Sequence, residues 1–186
     1  MKDYWKGGNM LYPLPAVMIS CGDMTNSNVF TVAWCGNCNT NPPMVYISVR
    51  KERYSYDILK QNKEFVINLV NENLVKACDY AGVKSGKDHD KFNELKLTKL
   101  ESKYVKAPSI LESPVNIECR VNKILELGSH DMFIADVLGT TIDTKYLDEN
   151  NKFDLKKAKL ITYSHGEYFS LGEVLGTFGY SIRKKK

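Results

Sequence analysis

The chain has 186 residues, 43% of them hydrophobic and 26% charged, a length and balance suited to a single domain over residues 1–186 with a good hydrophobic core. Its formal net charge of +4 comes entirely from Arg183, Lys184, Lys185 and Lys186, because the remainder holds 22 basic and 22 acidic residues. A neutral body with a basic tail argues against a nucleic-acid footprint. No apolar run has the length of a signal-peptide core or a bilayer span, and five scattered cysteines make no secreted disulfide framework, so the expected location is the cytoplasm, with no membrane role.

In chain order, the first residues, "MKDYWKGGNMLYPLP", are broken by glycines and prolines and read as an ordered arm leading to a first strand. Four strand-like runs follow: "PAVMISCG", "NVFTVAWCG", "PMVYISVR" and "EFVINLV". They are β-branched, aromatic and apolar on both faces, as in a barrel or a covered sheet. Between the last two, "RYSYDILKQN" reads as a short helix capped by Ser55. The next stretch, "NENLVKACDYAGV", places Leu74, Ala77, Cys78 and Ala81 on one helical face, with Gly82 as its stop. Residues 84–97 are a charged loop with one helical turn around Phe92.

Two long strands come next. "VNIECRVNKILEL" alternates, with Ile117, Cys119, Val121, Leu125 and Leu127 on one face and only Lys123 out of pattern. A tight turn at Gly128-Ser129 joins it to "DMFIADVLGTTID" in a hairpin. Shorter strands are expected in "KLITYS", "EYFSLG" and "EVLGTF". The pattern predicts a mainly β protein with a few short helices, an antiparallel barrel with the helices packed outside it.

Cys35 and Cys38 have the CxxC spacing of a dithiol site or half a zinc site. A reactive cysteine of the thioredoxin kind sits at a helix N-terminus. Pro42 and Pro43 follow closely, and the residue before a proline is pushed to extended geometry, so no helix runs on from this pair. Cys78 and Cys119 are single, distant and on apolar faces, which leaves a zinc ion without its second pair of ligands. The expectation is a strand-to-strand loop with two incidental thiols and no metal.

The run "SVRKERYSY" sets Arg50, Lys51 and Arg53 at a strand end and Ser55 at a helix start. Guanidinium groups, a hydroxyl and free backbone N–H groups in that setting fit a phosphate cradle. They fit a solvated basic turn equally well. In "SGKDHDKF", Lys87 and Lys91 lie within reach of an anion, or the segment is a solvated loop. The Walker loop, the GxGxxG fingerprint, HExxH and a nucleophile elbow are absent.

In their order along the chain, "NVFTVAWCGNCNTNPPMVYISVRKERYSYDILKQNKEFVINL", "SGKDHDKF", "APSILESPVNIECRV" and "ELGSHDMFIADV" resemble the flavin reductase-like, FMN-binding split-barrel family, its flavoredoxin branch in particular. The likeness runs from about residue 10 to residue 180. It implies a split antiparallel β-barrel, a homodimer, and one FMN per subunit held non-covalently near the dimer interface. It also implies roles for individual residues. Asn28, Thr31, Ala33 and Trp34 match the segment along the isoalloxazine and ribityl chain. Ser48, Val49 and Arg50 match a strand that runs beside the flavin to its phosphate, and Arg53, Tyr54 and Ser55 match the phosphate-proximal turn. Lys91 matches a lysine that reaches the cofactor, His130 a histidine near the ring, and Tyr163 an aromatic position covering it. His89 stands where the family usually has a small apolar residue. Two functions follow from the resemblance: NAD(P)H-dependent flavin reduction, or flavoredoxin-type electron transfer between protein partners. A non-catalytic flavin- or small-ligand-binding protein is the alternative.

Overall fold

A computed structural model describes residues 1–183. Lys184, Lys185 and Lys186, most of the predicted basic tail, lie outside the described residues. The strands in chain order are β1 (Leu14–Pro15), β2 (Val17–Gly22), β3 (Ser27–Val32), β4 (Cys35–Asn39), β5 (Met44–Arg50) and β6 (Glu64–Leu69), then β7 (Lys99–Leu100), β8 (Ser109–Ile110), β9 (Val115–Glu126), β10 (His130–Ile142), β11 (Ile161–Ser164) and β12 (Glu167–Ser170). The helices are α1 (Ser55–Asn62), α2 (Val75–Val83), α3 (Lys91–Glu94) and α4 (Leu155–Ala158).

Seven strands form one antiparallel sheet in the order β3-β2-β6-β9-β10-β5-β4. Its two edges, β3 and β4, are consecutive in the chain and joined only by Ala33 and Trp34, so the sheet must curl until its ends meet. The Ser48 N–H donates to the Trp34 carbonyl at 2.8 Å and pins that corner to β5. Strands β1, β11 and β12 make a small second sheet against the barrel, and β7 pairs with β8.

Alternation explains the two cores. On β2, Val17, Ile19 and Cys21 face the barrel interior with Phe30, Ile47, Phe65, Cys119 and Phe133. The intervening Met18 packs outward with Val29, Cys78, Ala81, Phe92, Ile110 and Ile161, beneath α2 and the small sheet. Both faces of β2 are buried, which is why its sequence reads as continuously apolar. The strand also carries a buried polar group, Ser20, whose hydroxyl accepts from Asn68 Nδ2 at 3.0 Å.

Several expectations need correction. Cys35 and Cys38 lie not in a loop but on β4, which pairs with β5. A bulge there makes Cys38 the unpaired extra residue, so Cys35 is buried in the barrel while Cys38 is exposed. Ser55 does not cap α1; Tyr54 holds that position without a side-chain bond, and Ser55 is the first helical residue. The predicted face of the long strand holds only to Val121. There β9 bulges at Asn122, the side chains change phase, and Ile124 packs on the core while Leu127 lies beyond the strand and is exposed. Helix α2 runs one residue past Gly82. "EVLGTF" forms no strand; it has no regular secondary structure and leads into a 3-10 turn at Tyr180–Ile182. Among the described residues no helix is long and apolar enough to cross a membrane.

Candidate functional site

Where β3 turns into β4, the barrel opens into a cleft of about 470 Å³ between that corner, the ends of β5 and β10, α2 and the β11–β12 hairpin. A smaller hollow of about 270 Å³ continues from it toward the start of α1, and Phe30, Arg50, Arg53 and Val83 line both. The larger part is walled by Thr31, Ala33, Trp34, Ser48, Val49, His130 and Tyr163. Asn28, Tyr54, Ser55 and Lys91 line the smaller. The fold therefore gathers all thirteen residues nominated from the sequence around one continuous groove.

Their parts in it differ. Trp34 lies over the His130 ring, centroids 4.6 Å apart and planes tilted by 30°, and His130 Nδ1 is 3.0 Å from Ser129 Oγ. Burial, with Arg50 nearby, lowers the His130 pKa and favours the neutral ring. The Thr31 hydroxyl donates to the Cys78 carbonyl of α2, so it presents the cleft mainly with a wall. Val49 belongs to the barrel core, which leaves chiefly its backbone to a ligand.

At the narrow end, Asn28 Nδ2 donates to Ser55 Oγ at 2.6 Å. That bond, rather than a helix cap, fixes the serine hydroxyl. Arg53 donates to the Gly82 carbonyl at 2.9 Å, tying the turn after β5 to α2. Arg50 carries Glu52 at 3.2 Å, a pair more than half exposed. The Lys91 ammonium is buried and donates to the Ala81 and Lys84 carbonyls at 3.0 and 3.1 Å. His89 secures this loop from outside, its Nδ1 lying 3.1 Å from the Glu94 carboxylate and its ring edge-on to Tyr80.

Sequence reasoning missed Phe30, Asp79, Gly82, Val83, Gly86 and Tyr168. Tyr168 reaches Asp79 at 3.3 Å and its ring lies tilted against Tyr163, centroids 5.5 Å apart, which closes the hairpin over α2. Gly86 carries the one readable signal, a glycine in a loop of charged residues, because a side chain there would collide with Asn28.

The donor set is two guanidinium groups, two lysine ammonium groups, the hydroxyls of Tyr54, Ser55 and Ser85 and the Asn28 amide at one end, with aromatic and aliphatic walls at the other. It suits a flat heteroaromatic ring carrying an anionic tail. A curled antiparallel barrel with such a groove at its open corner defines a split-barrel protein of flavin-related redox chemistry. The chain belongs to the flavin reductase like domain family, whose model matches residues 9–172. It is similar to the flavoredoxin of Desulfovibrio vulgaris (Miyazaki F), with a TM-score of 0.91 and 28% identity over 98% of this chain and 100% of that one. A flavoredoxin from Methanosarcina acetivorans superposes with a TM-score of 0.88 and 26% identity, covering 98% of this chain and 100% of that one. An uncharacterized protein of Archaeoglobus fulgidus is 34% identical over 160 residues, 86% of this chain and 89% of its own.

Proposed function

We propose that the protein holds one FMN in the groove and serves as a flavoredoxin-type electron carrier. The observation that carries this reading is the junction of an aromatic-walled cleft with a cationic hollow through shared Arg50 and Arg53. Riboflavin would leave that hollow without an anion; FMN fills it. Bound there, FMN supplies the redox chemistry, and the chain supplies binding, orientation and electrostatics. Trp34, His130, Ala33 and Tyr163 are placed to flank the ring, Ser48 and Thr31 to border the ribityl chain, and Arg50, Arg53, Ser55 and Lys91 to hold the phosphate. The likeness to two flavoredoxins across nearly the whole chain supports the carrier role.

The proposed working form is a homodimer. An apolar hollow lined by Met10, Leu11, Tyr46, Leu127 and Met132 adjoins Trp34 and His130. The two terminal arms leave Trp5, Leu11, Leu175 and Phe178 in the open, a surface that a second copy would cover. The same hollow favours a second reading, NAD(P)H:flavin oxidoreductase, since it offers an organic donor room beside the ring.

The purified protein is expected to be yellow, to release FMN on denaturation and to scatter light as a dimer. Reduction by a low-potential protein donor without oxidation of NADH or NADPH supports the carrier; steady nicotinamide oxidation supports the reductase. A colourless protein that FMN cannot reconstitute refutes both.

A further inference from the structure

The narrow hollow contains a buried cation with no carboxylate beside it. Lys91 is 3% exposed, and its ammonium bonds only to the Ala81 and Lys84 carbonyls among the described residues, leaving one of its three N–H groups unused. The Ala81 carbonyl lies in the last turn of α2, where the helix dipole adds only a partial negative charge.

The surrounding groups do little to balance it. From β2 comes the Cys21 thiol, which burial pushes up to about 11 and so keeps neutral. The turn after β5 contributes Arg50 and Arg53, with Glu52 drawn to Arg50, and the Tyr54 and Ser55 hydroxyls. The loop after α2 adds Lys84. On Lys91's own element, the Asp90 carboxylate is taken by Asn93, whose backbone and side-chain nitrogens donate to it at 3.2 and 2.5 Å. Four cations, Arg50, Arg53, Lys84 and Lys91, thus line the hollow, and the two carboxylates near it, Glu52 and Asp90, are already engaged. Burial lowers the Lys91 pKa to about 8, and the charge of Arg53 reinforces the shift.

We propose that Lys91 takes up a proton as a phosphoryl dianion enters this hollow, so that affinity for a phosphorylated ligand depends on pH while affinity for its dephosphorylated counterpart does not. A dianion provides the counter-charge that the protein omits, and so favours the ammonium over the amine. The proton comes from solvent. A guanidinium group keeps its charge at any pH from about 7.5 to about 9.5, so arginine side chains supply no pH dependence. The proposal rests on the FMN reading for its natural ligand, but the linkage belongs to the hollow and applies to any phosphoryl dianion that fits.

The test is calorimetric titration of the flavin-free full-length protein with FMN and with riboflavin, from about pH 7.5 to about pH 9.5. Each is run in two buffers of different ionisation enthalpy. The two ligands share a ring, so ionisation of the ring cancels between them. FMN affinity is expected to fall about tenfold between pH 7.5 and pH 9, with net uptake rising toward one proton, and riboflavin affinity to stay level. Lys91→Arg should abolish both the slope and the uptake while keeping FMN bound; Lys91→Met should abolish them and bind FMN weakly at every pH. A wild-type FMN affinity that is level across this range, with no buffer-dependent heat, overturns the proposal, as does a slope that survives in Lys91→Arg. If neither flavin binds, the FMN reading fails separately. Inorganic phosphate titrated in the same way then decides: uptake lost in Lys91→Arg supports the linkage, and its absence refutes it.

Discussion

Replacing Gly86 with alanine tests how the narrow end of the groove is built. A Cβ at that position would lie 2.5 Å from Asn28 Cγ and 2.7 Å from Nδ2, and closer still to Oδ1. Asn28 cannot retreat: it is 5% exposed and sits on β3, registered opposite Cys21 of β2. The loop must therefore move, and the 2.6 Å bond from Asn28 to Ser55 must lengthen or break. Losing one neutral hydrogen bond costs about 0.5–1.5 kcal/mol. Moving the loop also shifts the Lys84 carbonyl that holds the Lys91 ammonium. Together these should weaken FMN binding by about 1.5–3 kcal/mol, or about tenfold to a hundredfold. Riboflavin, lacking the phosphate, should lose much less. The assay is flavin titration followed by fluorescence, with a thermal melt to show that the barrel is intact. Asn28→Ala in the same chain removes the colliding atoms, so the double variant should bind better than additivity predicts. FMN affinity within twofold of wild type in Gly86→Ala would show that the loop does not shape the phosphate end.

Two further outcomes are expected. Cys38 should react at once with a thiol reagent, and Cys35, buried and pushed up to about 12 by desolvation, only on unfolding. Cys35→Ser should accordingly cost about 1–3 kcal/mol in stability, and Cys38→Ser almost nothing. The second concerns Asp131, buried in the barrel with its Oδ2 accepting from Tyr56 at 2.5 Å and its Oδ1 3.3 Å from the Lys51 ammonium. Burial alone would raise its pKa, but the bonds from Tyr56 and Lys51 outweigh it and hold the carboxyl below the usual range. Its stabilising contribution is therefore present above about pH 4 and lost as pH falls through the lower folded value. Urea unfolding should show Asp131→Asn less stable than wild type at pH 7, with the gap closing in acid; a gap that stays constant with pH would contradict the ion pair's role.

The strands were legible where local pattern and tertiary demand coincide. β2, β3 and β6 are apolar on both faces because both of their faces are largely covered, whereas β5 buries Val45, Ile47 and Val49 and leaves Met44, Tyr46 and Ser48 half-exposed. β4 was not legible: "CGNCN" has no β-branched residue, and its extended form comes from pairing along β5 rather than from its own preference. The bulge at Asn122 was hidden for a related reason. An extra residue in one strand is set by the register of its neighbours, and β9 is held between β6 and β10. "EVLGTF" shows the reverse error, since alternating apolar residues make a strand only where a partner edge receives them.

The site divides along the same line. Its cationic end was readable because Arg50, Arg53, Tyr54 and Ser55 are neighbours in the chain, and a strand end running into a helix start creates the same cationic turn in sequence and in space. Even so, the reason for Ser55 was misread: its hydroxyl serves Asn28, 27 residues earlier, instead of the helix it begins. The aromatic-walled end is assembled from β3, α2, β10 and the β11–β12 hairpin, and no local run joins these elements. Tyr168 and Asp79 meet across 89 residues, so nothing within either segment announces the contact. Only the ordered likeness to a family nominated Trp34, His130 and Tyr163 together. What the fold adds is the physical reason for the grouping: the corner at Ala33 and Trp34 that closes the barrel is also the wall against which the other elements pack. Closing the sheet and building the cleft are therefore one structural act, and a substitution that loosens that corner should be felt in both stability and flavin affinity.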